Sequence, residues 1–132
     1  MGIVGVDKIG WVQIVDRRLL VGRNRGAQRF YLPGGGREPG ETDVQTLVRE
    51  TSEELGVRLD PSTTRHIGTY LATRDNSPED LILIAYSADH QGEPIPSLEV
   101  AELAWVTFAD GGLVTDAERR LMVTLVERNL ID

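Results

Sequence analysis

The sequence predicts an α/β protein in which a mixed β-sheet is covered by two helices. Three observations carry this reading. Thr42 to Leu55 holds one apolar stripe on a helical period, and Thr115-Asp116-Ala117-Glu118 is a capping box that opens a second helix. The strand-like runs around them do not alternate strictly with helices, as a parallel doubly wound sheet would require. At 132 residues, one domain over 1–132 is expected.

Taken in order, Ile9 to Val15 is apolar and β-branched and predicts a strand. Leu19 to Val21 continues it after a turn at Asp16-Arg17-Arg18, which makes a hairpin. Phe30-Tyr31-Leu32 predicts a short strand stopped by Pro33 and three consecutive glycines. In the first helix Val44, Leu47, Val48, Thr51 and Leu55 fall at i, i+3, i+4, i+7 and i+11. Thr42 or Asp43 can cap its start, and Gly56 stands where a left-handed residue would end it. Ile67 to Ala72 and Leu81 to Ala88 predict strands joined by a polar turn over Arg74-Asp75-Asn76-Ser77-Pro78. Gln91 to Ser97, with two prolines and a glycine, predicts a loop, and Leu103 to Phe108 a last strand with Trp105 in the core. The second helix should run to about Arg128 with Leu121, Met122, Leu125 and Val126 facing inward.

Composition excludes several classes. Without cysteine there is no disulfide framework, thiolate zinc site or cysteine nucleophile. The longest apolar run, Leu81 to Tyr86, is far too short to cross a membrane as a helix. Asp7 and Lys8 interrupt the N-terminal apolar stretch, which has no basic leader, so a cytoplasmic protein is expected. A net charge of −7 argues against non-specific binding of duplex nucleic acid. That net figure hides an asymmetry. Six arginines and no acid lie between Arg17 and Arg37, whereas six acids and only Arg49 lie between Glu38 and Glu54. Two exposed faces of unrelated charge are the plain alternative.

On the first helix Glu50, Glu53 and Glu54 are spaced i, i+3, i+4 and share one face. Like charges at that spacing repel, and the last turn of a helix disfavours anions. A cation offsets both costs, and ligands that are all oxygen select a hard ion such as Mg²⁺ or Mn²⁺. A solvated acidic face remains the alternative on spacing alone. The preceding LPGGGREPGE stretch, Leu32 to Glu41, lets the backbone turn tightly and approach a ligand without side-chain obstruction.

Taken together, Gly35 to Val57 resembles the signature of the Nudix (MutT-like) hydrolases, G-x5-E-x7-R-E-U-x-E-E-x-G-U, where U is a bulky aliphatic residue. Gly35, Glu41, Arg49, Glu50, Glu53, Glu54, Gly56 and Val57 match. Thr51 departs from it, standing where an aliphatic residue belongs, although threonine is β-branched and close to valine in shape. The lead-in Tyr31-Leu32-Pro33-Gly34-Gly35 and the Trp105-Val106 pair before a terminal helix also resemble the family.

The resemblance implies the Nudix fold, an α/β/α sandwich with a mixed sheet and a loop–helix–loop box. It implies a pyrophosphohydrolase acting with Mg²⁺, or Mn²⁺, on a small nucleotide in which a nucleoside diphosphate is linked to another group. Glu53 and Glu54 would be principal metal ligands and Glu50 a third ligand or the residue that orients water. Arg49 would hold Glu41 or the neighbouring glutamates, and Gly35 would let its loop present the backbone to the metal. Neutralising the diphosphate, acidifying water and stabilising the leaving oxygen is what divalent ions do in such a reaction. Arg23 and Arg25 on the hairpin would then grip phosphate or stack on the base.

A carboxylate from outside the box often joins such sites. Glu102 is the first candidate, followed by Glu99 and then Glu79. Tyr31, with Phe30, stands where a base-contacting aromatic is expected, while His66 and His90 read as structural. The expected state is a monomer or homodimer with neither duplex nucleic acid nor membrane as partner. Two other readings stand beside the enzyme. One is a non-catalytic Nudix domain that binds a nucleotide or ADP-ribose, although such domains generally lack the second-turn glutamates. The other removes diphosphate from RNA 5′ ends, which asks for a wider basic groove than 14 cations against 21 acids provide. The base and the exact substrate are not legible.

Overall fold

A computed structural model describes residues 5–74 and 78–132. The middle of the turn expected at Arg74–Pro78 falls outside the described residues. Along the chain the elements are β1 (Gly5–Val12), β2 (Ile14–Val15), β3 (Arg18–Asn24), β4 (Gly34–Gly35), α1 (Asp43–Leu55) and β5 (Arg58–Leu59). They continue with β6 (Arg65–Thr73), β7 (Asp80–Ser87), β8 (His90–Gln91), β9 (Val100–Val106) and α2 (Asp116–Glu127). Short 3-10 turns precede β6 and α2.

The main sheet runs β4-β1-β7-β6 and is mixed. β1 and β7 pair in parallel from Gly5 opposite Asp80 to Val12 opposite Ser87, whereas β4 and β6 pair antiparallel with their neighbours. A second antiparallel sheet, β2-β3-β9, carries the hairpin. The strand expected over Ile9–Val15 is broken at Gln13, and a two-residue turn follows with Asp16 and Arg17 both at positive φ, 52° and 63°. Positive φ at both positions matches the twist of a tight hairpin. Phe30 and Tyr31 form only isolated bridges, to Val114 and Gly22, so the short strand expected there does not form.

Alternation along β1 sorts its side chains onto two sides. Ile9 and Trp11 pack with Leu20, Leu47 and Leu55 beneath α1, while Val12 packs with Leu83, Leu121 and Leu125 beneath α2. A helix therefore covers each side of the main sheet, which is the expected sandwich. Thr51 is fully buried, and its hydroxyl donates to Leu47 O at 2.8 Å, so the departure from the aliphatic pattern is satisfied within the helix. Two inward expectations fail: Trp105 on the edge strand β9 is 41% exposed, and Val126 on α2 is 38% exposed. Among the described residues, no helix is long and apolar enough to cross a membrane.

Candidate active site

The box folds as a glycine loop followed by α1. Thr42 caps the helix: its hydroxyl accepts from Gln45 N at 3.1 Å, and Gln45 Oε1 accepts from Thr42 N at 2.9 Å. Gly56, at φ 67°, ends it. Gly34 has φ 147°, and a Cβ there would lie 1.9 Å from Ile9 O, so only glycine can run beside β1 at this point. At Gly35 a Cβ would lie 2.5 Å from Glu50 Cδ. The missing side chain is what leaves room for the Glu50 carboxylate.

Arg49 is the centre of an ion network. Its Nε donates to Glu41 Oε2 at 2.8 Å and its Nη2 to Glu41 Oε1 at 2.9 Å, a bidentate pair. Nη2 also donates to Gly36 O at 3.2 Å. Nη1 donates to Glu50 Oε1 at 2.9 Å and, at 3.5 Å, to Glu53. Glu41 further accepts from Glu38 N and Thr46 Oγ1 at 2.8 and 2.9 Å. Arg49 first, with the Glu38 amide, holds the Glu41 carboxyl down at about 2. Glu41 in turn holds the Arg49 guanidinium above its ordinary value.

Glu54 has the opposite environment. Its carboxylate accepts Gly34 N–H at 3.1 Å, and burial, reinforced by the neighbouring Glu50 carboxylate, pushes it up to about 7. The structure thus brings Glu50 and Glu54 together. It leaves Glu53 half exposed at the edge of the Arg49 network. Among the described residues, no group of three or more His, Cys, Asp or Glu side chains is placed to hold a metal ion.

A second network pins the outside of the loop. Arg37 is paired with Asp7 on β1 and, at 2.7 Å, with Asp43 at the start of α1. Tyr86 on β7 donates to Asp43 Oδ2 at 2.6 Å. Burial and that carboxylate push the Tyr86 hydroxyl up to about 12.

The arginine block and the outlying acids are distributed differently from the sequence expectation. Arg17 pairs with Asp132 at 2.6 Å, Arg23 with Glu102 at 2.8 Å, and Arg37 as above. Glu102, expected beside the metal, therefore has Arg23 as its partner across β3 and β9, and Arg23, expected on substrate, is held by Glu102. Arg25 is exposed on the turn after β3, where its N–H donates to Glu99 O at 3.0 Å. Glu79 pairs with Arg74 at 3.4 Å. His66 Nε2 lies 2.9 Å from Thr69 Oγ1, and His90 packs edge-on against Trp11.

On the α2 side of the sheet a cavity of about 600 Å³ is lined by Lys8, Arg29, Tyr31, Thr73, Leu81 and Glu118, among others. Tyr31 does reach this cavity, with its hydroxyl accepting Asn24 N–H at 3.0 Å. Sequence reasoning missed Lys8 and Glu118. Lys8 Nζ stands 4.4 Å above the Tyr31 ring, and burial lowers its pKa against the pull of Glu118, Glu54 and Glu50. Glu118 does not cap α2 as its motif suggested. It is fully buried, accepts Leu32 N–H at 3.0 Å and is donated to by the Thr115 hydroxyl. A backbone N–H arriving at the glycine loop takes the carboxylate that a capping box would place on the helix end.

The NUDIX domain family model matches residues 8–127. A human 8-oxo-dGDP phosphatase is 53% identical over 34 residues, 26% of this chain and 10% of that protein. Nudix hydrolase 3 of Caenorhabditis elegans is 40% identical over 58 residues, 44% of this chain and 23% of that protein. The matches thus span less than a quarter of those relatives' lengths. A MutT NUDIX hydrolase from Burkholderia pseudomallei superposes with a TM-score of 0.76 at 24% identity, over 92% of this chain and 98% of its own.

Proposed function

This chain belongs to the Nudix hydrolase family, and on that premise we propose that it is a divalent-metal-dependent pyrophosphohydrolase. Members of the family generally cleave pyrophosphate linkages and generally use divalent metals. The substrate class proposed here is a small nucleotide in which a nucleoside diphosphate is linked to another group. The observation that carries the proposal is the Glu50–Glu54 pair, two partly buried carboxylates held together. A partly buried like-charge pair of oxygen ligands is a poor arrangement for stability and a good one for a hard dication.

The donor set fits Mg²⁺, with Mn²⁺ as the substitute, because the carboxylates are accompanied by no sulfur or imidazole. Glu53 and Glu54 would hold the ion, and Glu50 would complete the set or orient the attacking water. The ion would supply charge neutralisation of the diphosphate and acidification of water. The chain's own contribution is positional. Arg49 fixes the Glu50 carboxylate from one side, and Gly35 leaves it space on the other. Gly34 N–H orients Glu54, and the Arg37 pairs hold the loop against β1 and α1. The complete set of box glutamates favours this reading over a binding module.

The test is a phosphate-release screen over nucleoside triphosphates, oxidised guanine nucleotides, nucleotide sugars, ADP-ribose and dinucleoside polyphosphates, with Mg²⁺ or Mn²⁺. Glu53→Gln and Glu54→Gln should each lower kcat by roughly 10²-fold, the scale set by losing several kcal/mol of charge stabilisation. Glu38→Gln, in the loop outside the motif, should stay within a few-fold of wild type. Equal rates for Glu38→Gln and Glu53→Gln would overturn the proposal. Nucleotide binding without turnover would make the chain a binding module.

A further inference from the structure

The cavity on the α2 side is lined by a cation, Lys8, whose N–H donors are unoccupied among the described residues. Among the described residues Lys8 Nζ has no hydrogen-bond acceptor, and it stands 4.4 Å from the Tyr31 ring centroid. The side chain is only partly buried and lines the 600 Å³ cavity. An ammonium that has shed much of its water and gained no acceptor is costly unless a ligand supplies one. The Tyr31 ring fixes its position by cation–π attraction without occupying its N–H donors.

The surroundings indicate which acceptor fits. Lys8 feels three carboxylates, Glu118, Glu54 and Glu50. Glu118 lines the same cavity and lies outside the proposed metal ligands, so an anion brought to Lys8 would meet its charge, whereas a neutral oxygen would not. From Lys8 the cavity continues along Thr73, Leu81 and Thr115, and the cations Arg29 and Arg74 also line it. An ammonium is donor-only. Guanine, uracil and thymine present an exocyclic oxygen acceptor, while adenine and cytosine present an amino donor at the equivalent edge.

We propose that Lys8 is a specificity-determining residue that donates a hydrogen bond to guanine O6 or uracil or thymine O4 of the substrate, selecting these bases over adenine and cytosine, which carry an amino group at that edge. This rests on the nucleotide reading above. The buried Glu118 carboxylate ties Leu32 to Thr115 and so shapes the cavity that it lines together with Lys8.

The experiment is calorimetric titration with GMP, UMP, AMP and CMP, which present the base and one phosphate with no phosphoanhydride to cleave. Wild type should bind GMP and UMP about tenfold or more tighter than AMP and CMP, the scale of one charge-assisted hydrogen bond. Lys8→Met, similar in length but without donors, should reduce that preference to within about twofold by weakening GMP and UMP alone. Lys8→Arg, which keeps donors, should retain a preference for the oxo-bases. Melting of Lys8→Met at or above the wild-type midpoint shows that the fold is intact. An equal loss for all four nucleotides would place Lys8 on the phosphate and overturn the proposal, as would no loss, or no binding of any of the four by wild type. Base-selective binding with no hydrolysis in the screen would leave Lys8 as proposed and remove the enzyme. Hydrolysis with selectivity unchanged in Lys8→Met would do the reverse.

Discussion

Replacing Glu54 with glutamine should make the metal-free protein more stable at alkaline pH, although it should nearly abolish catalysis. Burial and Glu50 raise the Glu54 carboxyl from 4.5 to about 7, so the folded state binds this proton more tightly than the unfolded chain does. The associated stability is complete below about pH 4.5 and is lost as pH rises through about 7. At about 1.4 kcal/mol per pH unit of displacement, the ionised folded state is disfavoured by up to ~3 kcal/mol. Sharing of the proton with Glu50 puts the expected gain for Glu54→Gln at about 1–3 kcal/mol. Glutamine keeps an acceptor for Gly34 N–H, so the comparison isolates the charge. The assay is urea unfolding in EDTA near pH 5 and near pH 8, followed by tryptophan fluorescence. Wild type should lose stability between the two, and Glu54→Gln should lose much less. Adding Mg²⁺ should invert the order at the higher pH, since a ligand at 100 times its Kd contributes about 2.7 kcal/mol to the protein that binds it. Glu54→Gln less stable than wild type near pH 8 in EDTA, or equal pH dependence for the two, would refute the reasoning.

Gly35→Ala should lower kcat by at least about tenfold with little change in melting temperature, because its Cβ would stand 2.5 Å from the movable Glu50 carboxyl rather than against backbone. Kinetics and a thermal melt on the same sample check it, and wild-type kcat would mean that Glu50 needs no such space. Arg49→Lys should lower kcat by about tenfold or more with KM changed little, since one ammonium cannot reproduce a fork bonded to Glu41, Glu50 and Gly36 O together. Steady-state kinetics decides it, and an equal rise in KM would move Arg49 from positioning to substrate contact.

The helix of the box was legible because its signals are local. The apolar spacing, the Thr42 cap and Gly56 all lie within the segment they describe, and α1 forms between them. What misled the sequence reading was non-local. Arg23 and Arg37 stood out as part of a cationic block, but their partners Glu102 and Asp7 come from strands whose register the sequence does not print. The Glu118 capping motif is sound as a local pattern, yet a buried N–H at Leu32 competes for the carboxylate and wins. Trp105 was placed inside by its hydrophobicity, whereas its position near the end of an edge strand leaves it half exposed. Lys8 registered only as an interruption of an apolar run. Strand alternation from Val12 back through Gly10 would have put it on the α2 side, among groups that cannot hydrate it.

The distribution of cations around the box separates its carboxylates into two kinds. Arg49 serves Glu41, Glu50 and the edge of Glu53, while Arg37 serves Asp7 and Asp43. Both arginines are thereby fixed, and with them the loop between β4 and α1. Glu54 lies next to this frame but is bonded to neither arginine; it has the Gly34 amide and the field of Lys8. A structural carboxylate would be expected to carry a paired guanidinium, as Glu41 does, and to ionise low. Glu41 and Glu54 lie in one motif and sit at opposite ends of the carboxyl range, about 2 and about 7. The first holds the scaffold, and the second, bonded to no cation and set beside a rigid frame, is the carboxylate on which the proposed metal reading depends.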